Sequence, residues 1–192
     1  MGEADHPPPL SEQECRDPTL EDLVSLCRAL NQAEARYVVV GGFAIRASGF
    51  SRTTSDIDLL VETGPENETR VIRGLMSLPD QAVREVTPGE VEEYGVVRVA
   101  DEILVDLMRS GCEVRYADAR PDAKILNVDG VLIPFASPLT LWKMKQTHRE
   151  KDIPDRLFLR QLLAAQGIHV REAPPPWKPA GLWAWLRQTF GG

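Results

Sequence analysis

Residues 37–61 have the sequence YVVVGGFAIRASGFSRTTSDIDLLV, and this stretch decides the fold. The β-branched run at its start predicts a buried strand, and Gly41-Gly42 directly after it predicts a tight turn. We expect a short helix over 43–48 and a second strand over 55–62. The stretch therefore predicts two strands that are joined through a glycine turn and a helix, as in an α/β sheet.

Two carboxylates stand out in the second strand. Side chains alternate between the faces of a strand, so Asp56 and Asp58 point the same way, with Cα atoms roughly 6.5–7 Å apart. Such close negative charges repel each other unless a cation lies between them, and Mg²⁺ prefers carboxylate oxygens. Asp106 is a single charge in the apolar run 103–108, and a neighbouring strand would bring it to the pair. The alternatives are two solvated aspartates at a strand end and an edge-strand carboxylate that faces water.

The rest of the chain predicts an α/β (α+β) protein with a mixed β-sheet flanked by helices. A helix begins at Pro18, with Asp17 as its candidate N-cap. Asp129-Gly130 predicts the turn of a hairpin between two apolar arms. The other predicted elements are a helix over 66–78, strands over 96–100 and 102–108 around a turn at Asp101, the hairpin arms within 125–135, and helices over 138–145 and 153–166.

These elements divide the chain into four parts. They are a flexible leader at 1–16, a core domain at 17–136, a C-terminal helical region at 137–170 that completes the site, and a tail at 171–192 rich in Pro and Trp. The tail aromatics, Trp177, Trp183 and Trp185, are expected to cover an apolar groove on the same chain or to form an interface with a partner.

Composition and charge exclude several classes of protein. With 43% hydrophobic and 27% charged residues among 192, wholesale disorder is excluded. The net charge of −7 disfavours a long polynucleotide bound by bulk charge. The charge is also uneven, with 13 Lys and Arg against 25 Asp and Glu over 1–136, but 9 against 4 over 137–192. This asymmetry fits metal binding by the first part and anion binding by the second.

The sequence also bears on the cellular compartment. Its three cysteines form no CxxC motif, and the N-terminus lacks the charged and apolar regions of a signal peptide. No run approaches 18 apolar residues, so we expect no membrane span. These features predict a cytoplasmic protein with free thiols, of which Cys27 is a small buried apolar residue in a helix.

Together, these motifs resemble those of the polymerase-β-type nucleotidyltransferase superfamily. The shared pattern is a strand, Gly41-Gly42, about a dozen residues, Asp56-Ile57-Asp58 and a later strand that carries Asp106. It is similar above all to the bacterial and archaeal branch that includes the AbiEii-type toxins of type IV toxin–antitoxin systems. That branch also carries a downstream Lys, an Arg-x-Lys-Asp motif and an Asp. Here Lys145, residues 149–152 and Asp155 match them, so the resemblance covers roughly residues 20–166.

The resemblance implies an enzyme that transfers a nucleoside monophosphate from an NTP to a hydroxyl and releases pyrophosphate. It implies that Asp56, Asp58 and Asp106 hold two Mg²⁺ ions, with Mn²⁺ as an alternative, and that Asp106 also orients or deprotonates the acceptor hydroxyl. It further implies NTP binding, with ATP, CTP, GTP and UTP all open as donors, by Gly41, Gly42, Arg52, Thr54 and Lys145. The acceptor is left open among tRNA, protein and small molecule, and a toxin role would add a cognate antitoxin as partner.

Two departures from the family pattern create further alternatives. Gly42 stands where the superfamily most often has Ser, so a hydroxyl contact to phosphate would come from Thr54 or Ser55, or be absent. Pro154 would lie in the first turn of a helix, which makes Asp152 a candidate N-cap instead of a site residue. Two other classes of function are a catalytically silent nucleotide-binding module on the same fold and a protein-interaction module that acts through the tail. The presence of all three carboxylates favours the enzyme.

Overall fold

The computed structural model describes residues 15–147 and 149–172. Within these residues, the strands are β1 (Tyr37–Val39), β2 (Asp56–Val61), β3 (Val96–Ala100), β4 (Leu104–Met108), β5 (Ser110–Gly111), β6 (Val114–Arg115), β7 (Lys124–Val128) and β8 (Val131–Phe135). The helices are α1 (Leu20–Gln32), α2 (Gly41–Ala47), α3 (Pro65–Leu75), α4 (Glu90–Tyr94), α5 (Tyr116–Ala119), α6 (Pro138–Met144) and α7 (Ile153–Ala165).

Six of the strands form one mixed sheet, in the order β3-β4-β2-β1-β8-β7. The pairs β2·β4 and β1·β8 are parallel, and the other pairs are antiparallel. β5 and β6 form a separate two-stranded ribbon. The predicted α/β class with a mixed sheet is therefore confirmed.

The central pair of strands has the connection that the quoted stretch predicts. β1 leads through Gly41 into α2, and the chain returns as β2, which pairs antiparallel with β1 so that Val39 lies opposite Leu59. The Val40 N–H then donates to the carbonyl of Asp58 at 3.0 Å. This bond holds the glycine turn directly against the aspartates of β2.

Helix α1 packs against α3 and begins two residues later than the sequence indicates. The predicted N-cap Asp17 is wrong, because Thr19 caps the helix in a reciprocal box with Asp22. The Asp22 carboxylate accepts from the Thr19 N–H at 2.7 Å, and this leaves Asp17 outside the helix. The contact between helices is close, since a Cβ on Gly74 would lie 3.0 Å from the Cα of Leu30.

Short helix α4 was not predicted from the sequence, and its N-terminus is capped from a distance. Gly89 precedes the helix with φ +109 and has no side chain to cap it. Instead, the buried carboxylate of Glu68, on α3, accepts from the Gly89 N–H at 2.6 Å and from the Val91 N–H at 3.2 Å. A helix that is capped by a residue more than twenty positions away leaves no local start signal.

Two predicted turns are present with the expected chemistry. Asp101 lies between β3 and β4, fully buried, and its carboxylate accepts from the backbone N–H groups of Asp80, Ala82 and Glu102 at 2.9–3.0 Å. Asp129-Gly130 joins β7 to β8 with φ values of +49° and +79°, as a tight hairpin turn requires. Both turns fix the register of the strands that they join.

Most of the predicted leader and almost all of the predicted tail, including its tryptophans, lie outside the described residues. Among the residues that are described, no helix combines the length and the apolar character needed to cross a bilayer.

Candidate active site

Three carboxylates meet on one face of the sheet. Asp56 and Asp58 lie on β2, and the parallel neighbour β4 places Asp106 directly opposite Asp58. One oxygen from each of the three lies within 4.8 Å of the others. The intervening Ile57 and its partner Val105 point to the other face and are fully buried. The alternation of both strands thus separates the charges from the core.

The electrostatics of this cluster favour a cation. Burial, together with the charges of Asp56 and Asp106, raises the pKa of Asp58 from 3.8 to about 6. Lys145 and the backbone N–H of Gly42 oppose this shift, but they do not cancel it. Near neutral pH three carboxylates therefore share a small volume, and a divalent cation between them would remove the repulsion.

A fourth charged residue, Arg98, completes the row across the sheet. It lies on β3 opposite Asp106. Its Nε donates to Asp106 Oδ1 at 2.8 Å and its Nη2 donates to Oδ2 at 2.9 Å. Sequence reasoning missed this residue, because the predicted turn at Asp101 indicates an antiparallel pair of strands but not the register that sets Arg98 opposite Asp106.

The two glycines let other side chains approach the turn. Gly41 has φ +58, and a Cβ there would lie 1.7 Å from Asp58 Oδ2. A Cβ on Gly42 would lie 2.2 Å from the hydroxyl oxygen of Thr54. The Thr54 hydroxyl therefore occupies the space that a side chain at position 42 would need, and it donates to the Asp56 carbonyl at 3.1 Å.

Opposite the carboxylates, a pair of cations is held by two buried acids. Lys145 Nζ donates to Asp152 Oδ1 at 2.8 Å and lies 3.1 Å from Asp155 Oδ2. Arg52 Nη1 donates to the same Asp155 oxygen at 2.6 Å. Asp152 is 3% exposed and Asp155 is 1% exposed. One carboxylate on α7 therefore ties the loop before β2 to the end of α6.

Asp152 lies at the N-cap position of α7, which is the position considered for it from the sequence. Its side chain, however, makes no capping hydrogen bond there. Its oxygens instead accept from Lys145 and from the hydroxyl of Thr147. The salt bridge and the hydroxyl offset the free-energy cost of burying the charge of Asp152. The same salt bridge holds the Lys145 ammonium in place.

The carboxylates and the cations face each other across a cleft of about 290 Å³. Gly41, Gly42, Arg52, Asp56, Asp58 and Lys145 all line it, whereas Thr54 and Asp106 lie behind its wall. Two further exposed cations that sequence reasoning did not assign, Arg149 and Lys151, also line the cleft. Its remaining wall is partly apolar, formed by Val40, Val96, Met108, Leu141 and Met144.

The donor set fits a hard divalent cation. Asp56, Asp58 and Asp106 offer carboxylate oxygens close enough to share an ion. Burial first and the neighbouring carboxylates second raise the pKa of Asp58, and such an ion would neutralise the second contribution. The other wall offers guanidinium and ammonium groups, which bind phosphate oxygens. The cleft can thus bring a metal-bound phosphate ester and a cationic anchor together.

At least two solved structures are similar to this chain in their overall structure. Neither the protein-family models nor the curated proteins provide a match. An antigenic nucleotidyltransferase-like protein from Paracoccidioides brasiliensis is similar in structure, with 19% identity over 81% of this chain and 79% of that chain and a TM-score of 0.46. ANT(2")-Ia, solved in complex with adenylyl-2"-tobramycin, is 17% identical over 76% of this chain and 89% of its own, also with a TM-score of 0.46.

Proposed function

We propose that the protein is a Mg²⁺-dependent nucleotidyltransferase, which transfers a nucleoside monophosphate from an NTP to a hydroxyl and releases pyrophosphate. The observation that carries this proposal is a cluster of three convergent carboxylates, two of which line a cleft that is also lined by a set of cations. The triphosphate of an NTP needs both, because the reaction moves negative charge onto the leaving pyrophosphate.

The carboxylate wall would hold the metal and receive the acceptor. Asp56 and Asp58 line the cleft and would bind Mg²⁺, or Mn²⁺ in its place, together with Asp106. The bound ions supply charge neutralisation on the phosphates and on the attacking and leaving oxygens. Asp106 would accept a hydrogen bond from the acceptor hydroxyl and orient it towards the α-phosphate.

The cationic wall would anchor the leaving group. Lys145 is oriented by Asp152, and Arg52 is oriented by Asp155, so both cations have restricted freedom before the nucleotide binds. This arrangement lowers the entropy lost when they bind phosphate oxygens. Gly41, without a side chain, leaves room for the Asp58 carboxylate to lie directly against the turn.

The acceptor class can be narrowed by the charge of the cleft. Among the described residues, the carboxylates that line it are Asp56, Asp58 and Asp152, of which the first two would bind metal and the third is paired with Lys145. This leaves no lining carboxylate to bind the amino groups of a polycationic acceptor such as an aminoglycoside. A hydroxyl of a protein, of tRNA or of a small molecule without several positive charges fits the cleft better. The toxin role and the cognate antitoxin rest on the sequence resemblance and belong to the same proposal.

The first experiment is thermal unfolding with each of the four NTPs, with and without Mg²⁺. A nucleotide at one hundred times its dissociation constant should stabilise the folded protein by about 2.7 kcal/mol. We expect a Mg²⁺-dependent shift with the donor nucleotide in wild type and in Asp17→Asn, an exposed control, but not in Asp58→Asn. Transfer of an α-phosphate label to an acceptor then separates an enzyme from a silent nucleotide-binding module. No shift with any NTP contradicts the proposal.

A further inference from the structure

We propose that Arg98 neutralises Asp106 in the metal-free site and competes with the divalent cation for this carboxylate. The inference rests on the proposed function, in that it takes the three carboxylates to be a metal site. It adds a residue that the sequence motifs do not contain, and it assigns that residue an effect on metal affinity.

The geometry places the guanidinium on the oxygens that a metal would need. Arg98 uses Nε and Nη2 to contact both oxygens of Asp106, at 2.8 and 2.9 Å. Asp106 is 7% exposed, so water contributes little to its solvation, and the bidentate pair stabilises its charge. Within residues 15–147 and 149–172, neither Asp56 nor Asp58 accepts a hydrogen bond from an arginine of that part of the chain.

A divalent ion shared by the three carboxylates would lie close to the Arg98 guanidinium and be repelled by it. The ion also withdraws electron density from the Asp106 oxygens and weakens the charge-assisted hydrogen bonds that hold Arg98. Metal binding therefore requires Arg98 to release at least one oxygen. Its side chain is 42% exposed, which gives the released guanidinium access to solvent.

This competition gives Arg98 an effect that a merely structural residue would not have. Loss of Arg98 leaves Asp106 unpaired beside two like charges, so the metal-free protein should be less stable. The same loss removes the competitor, so metal should bind more tightly. Stability without metal and affinity for metal should therefore move in opposite directions.

The test is a direct titration of the full chain with Mn²⁺, by calorimetry and by the electron paramagnetic resonance signal of free Mn²⁺. We expect Arg98→Gln to bind Mn²⁺ about tenfold more tightly than wild type, since a hydrogen bond to a charged group contributes on the order of a factor of ten. Arg16→Gln is the matched control, because Arg16 forms a similar bidentate pair with Asp22 away from the cleft, at 2.6 and 2.8 Å. It should leave the Mn²⁺ affinity unchanged.

Arg98→Lys keeps the charge but cannot form the two parallel bonds, so its affinity should lie between those of Arg98→Gln and wild type. Arg98→Lys also provides the test of Mn²⁺ affinity if Arg98→Gln fails to fold. Equal or weaker Mn²⁺ binding by Arg98→Gln or Arg98→Lys overturns the inference. If wild type binds Mn²⁺ and Asp58→Asn does not, that result leaves the proposed metal site standing. If none of these proteins binds Mn²⁺, the proposed function fails together with the inference.

Discussion

The two walls of the cleft carry opposite charges and are built in opposite ways. On the cationic wall, Lys145 and Arg52 meet Asp152 and Asp155, so two positive groups are balanced by two buried negative ones. On the carboxylate wall, among the described residues, three acids meet one arginine, which contacts Asp106. The comparison teaches that buried counter-charges fix the geometry of the cationic wall, whereas the carboxylate wall keeps an excess of negative charge.

The largest expected effect comes from breaking the balanced wall at Asp155. Asp155→Asn removes the charge that Arg52 and Lys145 share, and a buried ion pair that loses one partner typically costs about 3–5 kcal/mol. We therefore expect a loss of about 3 kcal/mol in the free energy of unfolding, together with a higher KM for the NTP. Chemical denaturation measures the first effect.

Glu66→Gln is the control for this change, because it breaks an exposed pair with Arg70 on α3. Exposed pairs contribute about 0–1 kcal/mol, so its unfolding midpoint should barely move. An Asp155→Asn protein as stable as this control would contradict the view that the wall is held together by its charges.

The second largest effect is a pH-dependent change in stability at the carboxylate wall. The pKa of Asp58 is raised to about 6, so the folded protein holds this proton more tightly than the unfolded chain does. The contribution of Asp58 to the free energy of unfolding is therefore fully present below about pH 4, and it is lost as the pH rises through 6. At pH 8 without metal, Asp58→Asn should be more stable than wild type by about 2–3 kcal/mol.

Thermal unfolding at pH 4 and pH 8 measures this difference, and the gain should shrink at the lower pH. Asp17→Asn, an exposed control, should show no such pH dependence. A gain of equal size at both pH values would mean that the buried charge of Asp58 is not its cause.

A smaller effect concerns the packing of the glycine turn. Gly42→Ser should lose about 1–3 kcal/mol of stability, because its Cβ would overlap the Thr54 hydroxyl. Gly42→Ser/Thr54→Gly removes the overlap and should recover part of the loss. Chemical denaturation of both variants, with Thr54→Gly alone as control, gives the coupling between the two positions. Additive losses would show that Thr54 does not fill the space of a side chain at 42.

The smallest expected effect lies at the exposed edge of the cationic wall. Lys151→Gln should weaken NTP binding about two- to fivefold, since an exposed charge contributes little and is screened by salt. It should leave the free energy of unfolding unchanged. Lys143→Gln, on α6 and outside the cleft, is the control and should change neither quantity. The nucleotide dissociation constant at low and high salt checks both variants.

The positions of the three carboxylates could be predicted from the sequence. Alternation within β2 places Asp56 and Asp58 on one face, and the apolar run around Asp106 marks a second buried strand. The hairpin was predicted from the turn chemistry of Asp129-Gly130 between two apolar arms. These patterns are local, because strand alternation, helical spacing and turn residues are defined by neighbours along the chain.

Only the tertiary structure decided which partners the charged side chains contact. Asp155 contacts Arg52 from 103 positions away, and Glu68 caps a helix that begins with no local signal. The register of β3 against β4 sets Arg98 on Asp106, and the packing of α7 against α6 brings Asp152 to Lys145. A sequence pattern specifies which face a side chain occupies, because backbone geometry is local. It does not specify which distant charge meets that face, because this depends on how the elements pack.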